Sequence, residues 1–150
     1  MSMLVDAVEI RPRVYHRTLQ IGPLLFEELP AADDVVEIPG QGLTLNCSDN
    51  DFYPLVRLEH WDGPAPDPDT GVLWDYRRSF AVPLADRLCV VDLNGNVRGA
   101  LPVKPGHYHV QVLCRGRDHP EALLTLKPFP PQEPHEDPLE FWVIRVWPAD

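Results

Sequence analysis

Serine occurs only three times in the 150 residues (Ser2, Ser48, Ser79) and lysine only twice (Lys104, Lys127). Serine catalysis therefore has few candidates, and none of the three sits in a GxSxG elbow. P-loop, GxGxxG and HExxH patterns are absent as well. No uninterrupted apolar run is longer than four or five residues, which excludes a membrane-spanning helix. The segment Met1–Arg13 carries Asp6 and Glu9 and has no basic stretch leading into an apolar one, so no secretory signal is expected. Cysteine is scarce too. Cys47, Cys89 and Cys114 are widely spaced, with no CxxC and no zinc-finger grouping with histidine. The expectation is three buried free thiols in a reducing, cytoplasmic setting.

Positive charge is missing altogether from Thr18 to Val56. Seven acids stand there: Glu27, Glu28, Asp33, Asp34, Glu37, Asp49 and Asp51. Over the whole chain 23 acids face 13 bases, a formal charge of −10. Such a balance disfavours nucleic acid and anionic membranes, because phosphate binding needs a basic surface, and it favours a basic partner. A chain of this length is expected to form one domain over 1–150. Leu, Val, Ile and Phe make up 44 of the 150 residues, enough for a core without disulfide staples.

Eighteen prolines cap the length of every element, and no window sustains a helical period beyond about three turns. Alternation with period two is common. Trp74–Val82, Pro54–Trp61 and Tyr108–Cys114 each place apolar residues on one face. Leu139–Trp147 is apolar on both faces and predicts a central strand covered from two sides. Further β-like runs are Val5–Ile10, Arg13–Ile21, Val35–Ile38, Leu43–Cys47, Leu88–Leu93 and Val97–Val103. Asn94-Gly95 between two of them predicts a hairpin with a type I′ turn. The fold class expected is all-β, an antiparallel β-sandwich of about eight to ten strands. At most one or two short helical turns are expected, at Leu24–Leu29 and Pro120–Leu126. Gly63–Gly71 and Pro128–Pro138 are proline-rich acidic loops, and the second has the character of a polyproline ligand.

The sharpest chemical pattern is His107-Tyr-His109, whose imidazoles share one face of a strand, with His119 available from the following loop. Cupins hold a metal through such a pair, but add a carboxylate a few residues later, and here none follows before Asp118. No metal and no cofactor are therefore assigned, and the two histidines are expected on a solvent-facing surface. Arg115-Gly-Arg-Asp118 reads as a structural turn, with an anion site at Arg115 and Arg117 as the alternative. Trp61, Trp74, Trp142 and Trp147 are expected to pack at strand ends. The acidic groups lack the order of a calcium loop, which leaves a solvated face or a partner-binding one.

Several segments carry a resemblance: Tyr15–Gln20, Gly42–Asn46, Leu55–Leu58, Tyr76–Pro83 and Leu101–Tyr108. In this order they resemble the competence protein J family, small bacterial inhibitors of a DNA-entry nuclease. The PGxY of Pro105–Tyr108, the turn Arg115–Asp118 and Val146–Ala149 are similar to related actinobacterial small β-proteins. The resemblance implies a β-fold and, as function, nuclease inhibition, but assigns no inhibitory residue. With the charge pattern and the missing catalytic sets, the expectation is a non-catalytic acidic protein-binding module. It would act as an inhibitor or immunity-type protein on a basic nuclease or toxin. Glu27, Glu28, Asp33, Asp34, Glu37, Asp49 and Asp51 are the candidate partner-binding residues. The alternatives are a cupin-like metalloprotein using His107 and His109 and a ligand-binding sandwich with a tryptophan-rimmed pocket.

Overall fold

In the computed structural model, residues 1–24, 34–38, 42–48, 52–68, 73–117 and 140–149 are described. They hold nine strands and no helix. The strands are β1 (Leu4–Ile10), β2 (Thr18–Leu24), β3 (Val36–Glu37), β4 (Leu43–Asn46), β5 (Leu55–Trp61), β6 (Tyr76–Val91), β7 (Val97–Pro102), β8 (Gly106–Arg115) and β9 (Phe141–Pro148). They form one sheet in the order β1-β5-β9-β8-β6-β2-β4-β3, with β7 added alongside β6. Among the described strands all pairings are antiparallel except β5 with β9, which is parallel, in a fold that is mostly antiparallel as expected. A parallel pair needs a long crossover, and here the chain between β5 and β9 supplies it through β6, β7 and β8.

The 16-residue β6 joins the two halves of the sheet. Its first part pairs with β8 from Tyr76 to Leu84. Its second part pairs with β7 from Arg87 to Val91 and, on the opposite edge, with β2. The sequence divides this strand at Pro83, yet the structure runs straight through it. Pairing with β2 reaches back only to Leu84, so Pro83 lies where β6 is paired along one edge. A missing N–H is tolerated in such a position.

Side chains from both halves belong to one core cluster, including Leu19, Ile21, Leu45, Val56, Leu58, Phe80, Val90, Val110, Trp142 and Ile144. Alternation along β8 is as the sequence predicts. Tyr108, Val110, Val112 and Cys114 are buried toward the core, while His107 is exposed and His109 half-buried on the other face. Central β9 is buried continuously from Trp142 to Val146. Cys47, Cys89 and Cys114 are free and buried.

Two turns differ from expectation. The run Arg13–Ile21 is broken after Tyr15, where His16 (φ 54°) and Arg17 (φ 62°) both take left-handed conformations. The Thr18 N–H donates to the Tyr15 carbonyl at 3.1 Å, and the two residues form a bridge. This is the backbone of a type I′ turn built from residues that pay a steric cost there. Replacing His16 with glycine is expected to raise stability by about 1 kcal/mol and the melting temperature by about 2–4 °C. Thermal unfolding followed by circular dichroism measures this, and an unchanged or lower midpoint contradicts it. The β6–β7 hairpin exists, but only Gly95 has a positive φ, 84°. Gly95 N–H donates to the Asp92 carbonyl, and the register slips between Val90 and Val91. The turn is thus closed by a glycine bulge instead of the type I′ pair. Leu24, where a helical turn was expected to begin, ends β2. Residues 25–29 and 120–126 lie outside the described part.

Candidate functional site

The stretch without basic residues builds β2, β4 and the edge strand β3. Of its seven acids, Asp34 and Glu37 are described, and both are exposed. Glu27, Glu28, Asp33, Asp49 and Asp51 lie outside the described residues. Glu37 sits opposite Thr44 at the sheet edge, and Asp34 is tied down through its carbonyl, which accepts Asn46 Nδ2 at 3.2 Å. Three-dimensional placement changes the charge picture at one end of this edge. Arg17 donates from Nη2 to the Ser48 carbonyl at 2.9 Å, and Arg117 from Nε to the Asn46 carbonyl at 2.8 Å. Arg17 borders the stretch in sequence, Arg117 comes from just after β8 far beyond it, and both reach the end of β4.

The outer face of β5, β9 and β8 carries a second cluster. Arg145 side chain is 7% exposed and donates to Glu59 Oε1 at 3.1 Å, Gln111 Oε1 at 3.2 Å and the Pro66 carbonyl at 2.9 Å. Glu59 also accepts Arg57 Nε at 2.6 Å and Trp61 Nε1 at 2.8 Å. Burial pushes the Glu59 carboxyl up, but Arg57, Trp61 and Arg145 together outweigh it and hold it below the usual carboxylate range. Arg145 also lies over Trp61, 5.3 Å from the ring centre. Beside this network a cavity of about 220 Å³ opens between Trp74, Phe141, Leu113 and Arg115. The Arg115 guanidinium sits 4.7 Å from the Phe141 ring centre and 5.8 Å from that of Trp74. Arg115 thus packs on aromatic rings, and Asp118, its expected turn partner, lies outside the described residues. Charged residues inside a two-sided apolar strand need partners, and this was the signal for Arg145 in the sequence.

The same signal applies to Glu140, which is fully buried. Its carboxylate accepts the Ser48 N–H at 3.0 Å and Trp142 Nε1 at 3.2 Å. Burial raises its pKa against the effect of these donors. Burial, reinforced by Glu140, also drives the Cys47 thiol far above its usual value, so Cys47 is held as a protonated thiol. The histidine pair leads nowhere comparable. His109 packs 5.7 Å from the Trp147 ring centre, and no group of three metal-ligating side chains exists among the described residues. His119 is outside them.

No protein-family model matches the chain, and no curated protein matches it in sequence. Solved structures do match over its whole length. ComJ from Bacillus subtilis, described as an inhibitor of the DNA-degrading activity of NucA, superimposes with a TM-score of 0.59 at 5% identity. The match covers 99% of each chain. The product of crocagin biosynthetic gene J gives a TM-score of 0.57 at 16% identity, covering 97% of this chain and 98% of that one. At such identities the likeness is one of fold, and at that level the chain is similar to ComJ, as its segment order implies.

Proposed function

We propose that this chain is a non-catalytic binding module whose acidic β2–β4–β3 edge covers a basic surface on a nuclease or toxin-type protein. The observation that carries the reading is the end-to-end likeness in fold to ComJ, a nuclease inhibitor, in a chain with net charge −10. The acids of the 18–56 stretch, of which Asp34 and Glu37 are exposed in the described part, supply the means. Complementary charge accelerates encounter through long-range steering and disfavours wrong partners. Glu37 stands exposed on β3, the last strand in the order of the described part. A cytoplasmic setting with reduced thiols belongs to the same reading.

The test takes a basic nuclease or toxin-type protein as candidate partner, ideally one encoded next to this chain, and measures association rates by surface plasmon resonance. Reversing Asp34 and Glu37 together with Glu27, Glu28 and Asp33 to lysine is expected to slow association about tenfold or more at 0.1 M salt. The difference should vanish near 1 M, where the Debye length falls from about 10 Å to about 3 Å. Reversal of Glu133, Glu136 and Asp137 is the control of similar sign. Equal slowing by both sets means that net charge alone acts, and no slowing by either means that the acidic edge is solvated surface. Either outcome defeats the proposal.

A further inference from the structure

We propose that the outer face of β8 and β9 binds a small planar aromatic molecule carrying a carbonyl-type oxygen, held where Trp74, Arg115 and Phe141 meet the sheet. The site is separate from the acidic edge, which lies beyond β6 in the strand order. Register explains its shape. On the outer face Arg115 stands opposite Phe141, Leu113 opposite Val143 and Gln111 opposite Arg145. The residues alternating with them, Val112, Cys114, Trp142 and Ile144, belong to the core cluster. Leu113 and Val143 are only 1% and 6% exposed, yet neither is part of that cluster. They form the apolar floor of the cavity of about 220 Å³. Arg115 and Gln111 are four residues apart along β8, about 13 Å, so the floor between them has room for one ring and a short substituent. The volume agrees, since it falls below the roughly 300 Å³ at which sites for larger ligands begin.

The two ends of the cavity differ in what they offer. At the Arg145 end the polar groups satisfy one another. Glu59 accepts from Arg57, Trp61 and Arg145, and Arg145 also reaches the Pro66 carbonyl. The other end is built of rings. Trp74 and Phe141 lie 6.3 Å apart at 51°, in contact with each other, so no third ring fits between them. A ligand ring therefore lies along the Leu113–Val143 floor, with the aromatic pair as its end wall. Arg115 is laid over both rings, 4.7 Å from the centre of Phe141 and 5.8 Å from that of Trp74. Such stacking fixes the guanidinium plane before any ligand arrives.

Trp74 sets the polar requirement. Its Nε1 is buried and has no hydrogen-bond partner among the described residues. Trp61 and Trp142, by contrast, donate to Glu59 and Glu140. A buried indole N–H ordinarily finds an acceptor, and one without marks a place for a group from outside the chain. Indole and guanidinium nitrogens are donors only, so the complementary group at this end is an acceptor oxygen. The floor and the ring wall ask for a flat apolar body, and Trp74 asks for a carbonyl-type oxygen at one end of it.

The full chain, isotope-labelled, is titrated with benzamide, benzoate, toluene and cyclohexanecarboxamide while backbone and indole N–H shifts are recorded. Benzamide and benzoate, the neutral and the charged carbonyl probe, are expected to saturate one site. Toluene lacks the acceptor and cyclohexanecarboxamide the aromatic ring, and each should bind at least about tenfold more weakly. In the unmodified protein the Trp74 indole N–H resonance should move downfield on saturation, because it gains an acceptor. Those of Trp61 and Trp142, already bonded, should hold still. This readout does not depend on any variant folding. Trp74→Phe keeps a ring in the wall, identifies the resonance by its loss, and should weaken benzamide about tenfold. Trp147→Phe, one outer-face step beyond Arg145 and outside the cavity, should leave binding unchanged. Saturation by neither carbonyl probe overturns the proposal. So does toluene binding as tightly as benzamide, full affinity in Trp74→Phe, or shifts confined to other parts of the sheet.

Discussion

Replacing Arg145 with alanine is expected to remove about 3–5 kcal/mol of folding stability. For a chain of this size that corresponds to roughly 6–20 °C in melting temperature. The side chain is nearly inaccessible and satisfies three acceptors on three different segments: Glu59 on β5, Gln111 on β8 and the Pro66 carbonyl. Alanine leaves the buried Gln111 amide oxygen and the Pro66 carbonyl without this donor and opens a space under Trp61. Glu59 keeps Arg57 and Trp61, so the loss stays short of that for a wholly unpaired charge. Lysine retains the charge but not the planar fork, and should recover only part of the stability. Urea unfolding of the three proteins measures these differences, and an alanine variant within 1 kcal/mol of the parent contradicts the assignment. The acid limb reports on the same network. Because the folded Glu59 carboxyl lies below its ordinary pKa, its stabilisation is complete above that ordinary value. It is lost as pH falls through the lower, folded value. Removing Arg145 should flatten that limb.

Glu140 is expected to behave in the opposite sense. Glu140→Ala strands the Ser48 N–H and Trp142 Nε1, two interior donors worth about 1–3 kcal/mol each. Stability should fall by roughly 2–6 kcal/mol. Glu140→Gln keeps an acceptor oxygen and removes the buried charge, so it should cost much less at neutral pH. The sign follows from burial, which raises the folded pKa. Between the ordinary carboxylate pKa and the raised one, the native state binds more protons than the unfolded chain. Stability therefore declines as pH rises through that interval, and the burden of the ionised carboxylate is complete above it. Glutamine should abolish this decline. Unfolding free energies measured across the interval check it, and a slope that survives in Glu140→Gln assigns the titration to another group.

Most of the strand pattern was legible because alternation is a local property. Tyr108, Val110 and Val112 announce their face by spacing alone, and so do His107 and His109 opposite them. The break at His16 and Arg17 was not legible, since neither residue type is a turn former and the conformation is imposed by the strands on either side. Pro83 misled in the other direction, because tolerance of proline depends on which edge is paired, a property of neighbours distant in sequence. Acidity of the 18–56 stretch was plain, but Arg17 and Arg117 reach its end only after folding.

The parallel pairing of β5 with β9 has a consequence for how the chain is made. Strand β9 stands between β5 and β8, yet it follows β5 by 80 residues, from Trp61 to Phe141. At about 5–20 residues per second on the ribosome, β5 waits roughly 4–16 s for its neighbour. During that interval the antiparallel β1–β5 pair can form, but the flank that β9 will occupy stays open. Arg57 and Glu59 alternate with Val56 and Leu58 along that open strand, and charge on a bare edge discourages pairing with other nascent chains. The ion network that later locks the finished sheet thus also guards the unfinished one during synthesis.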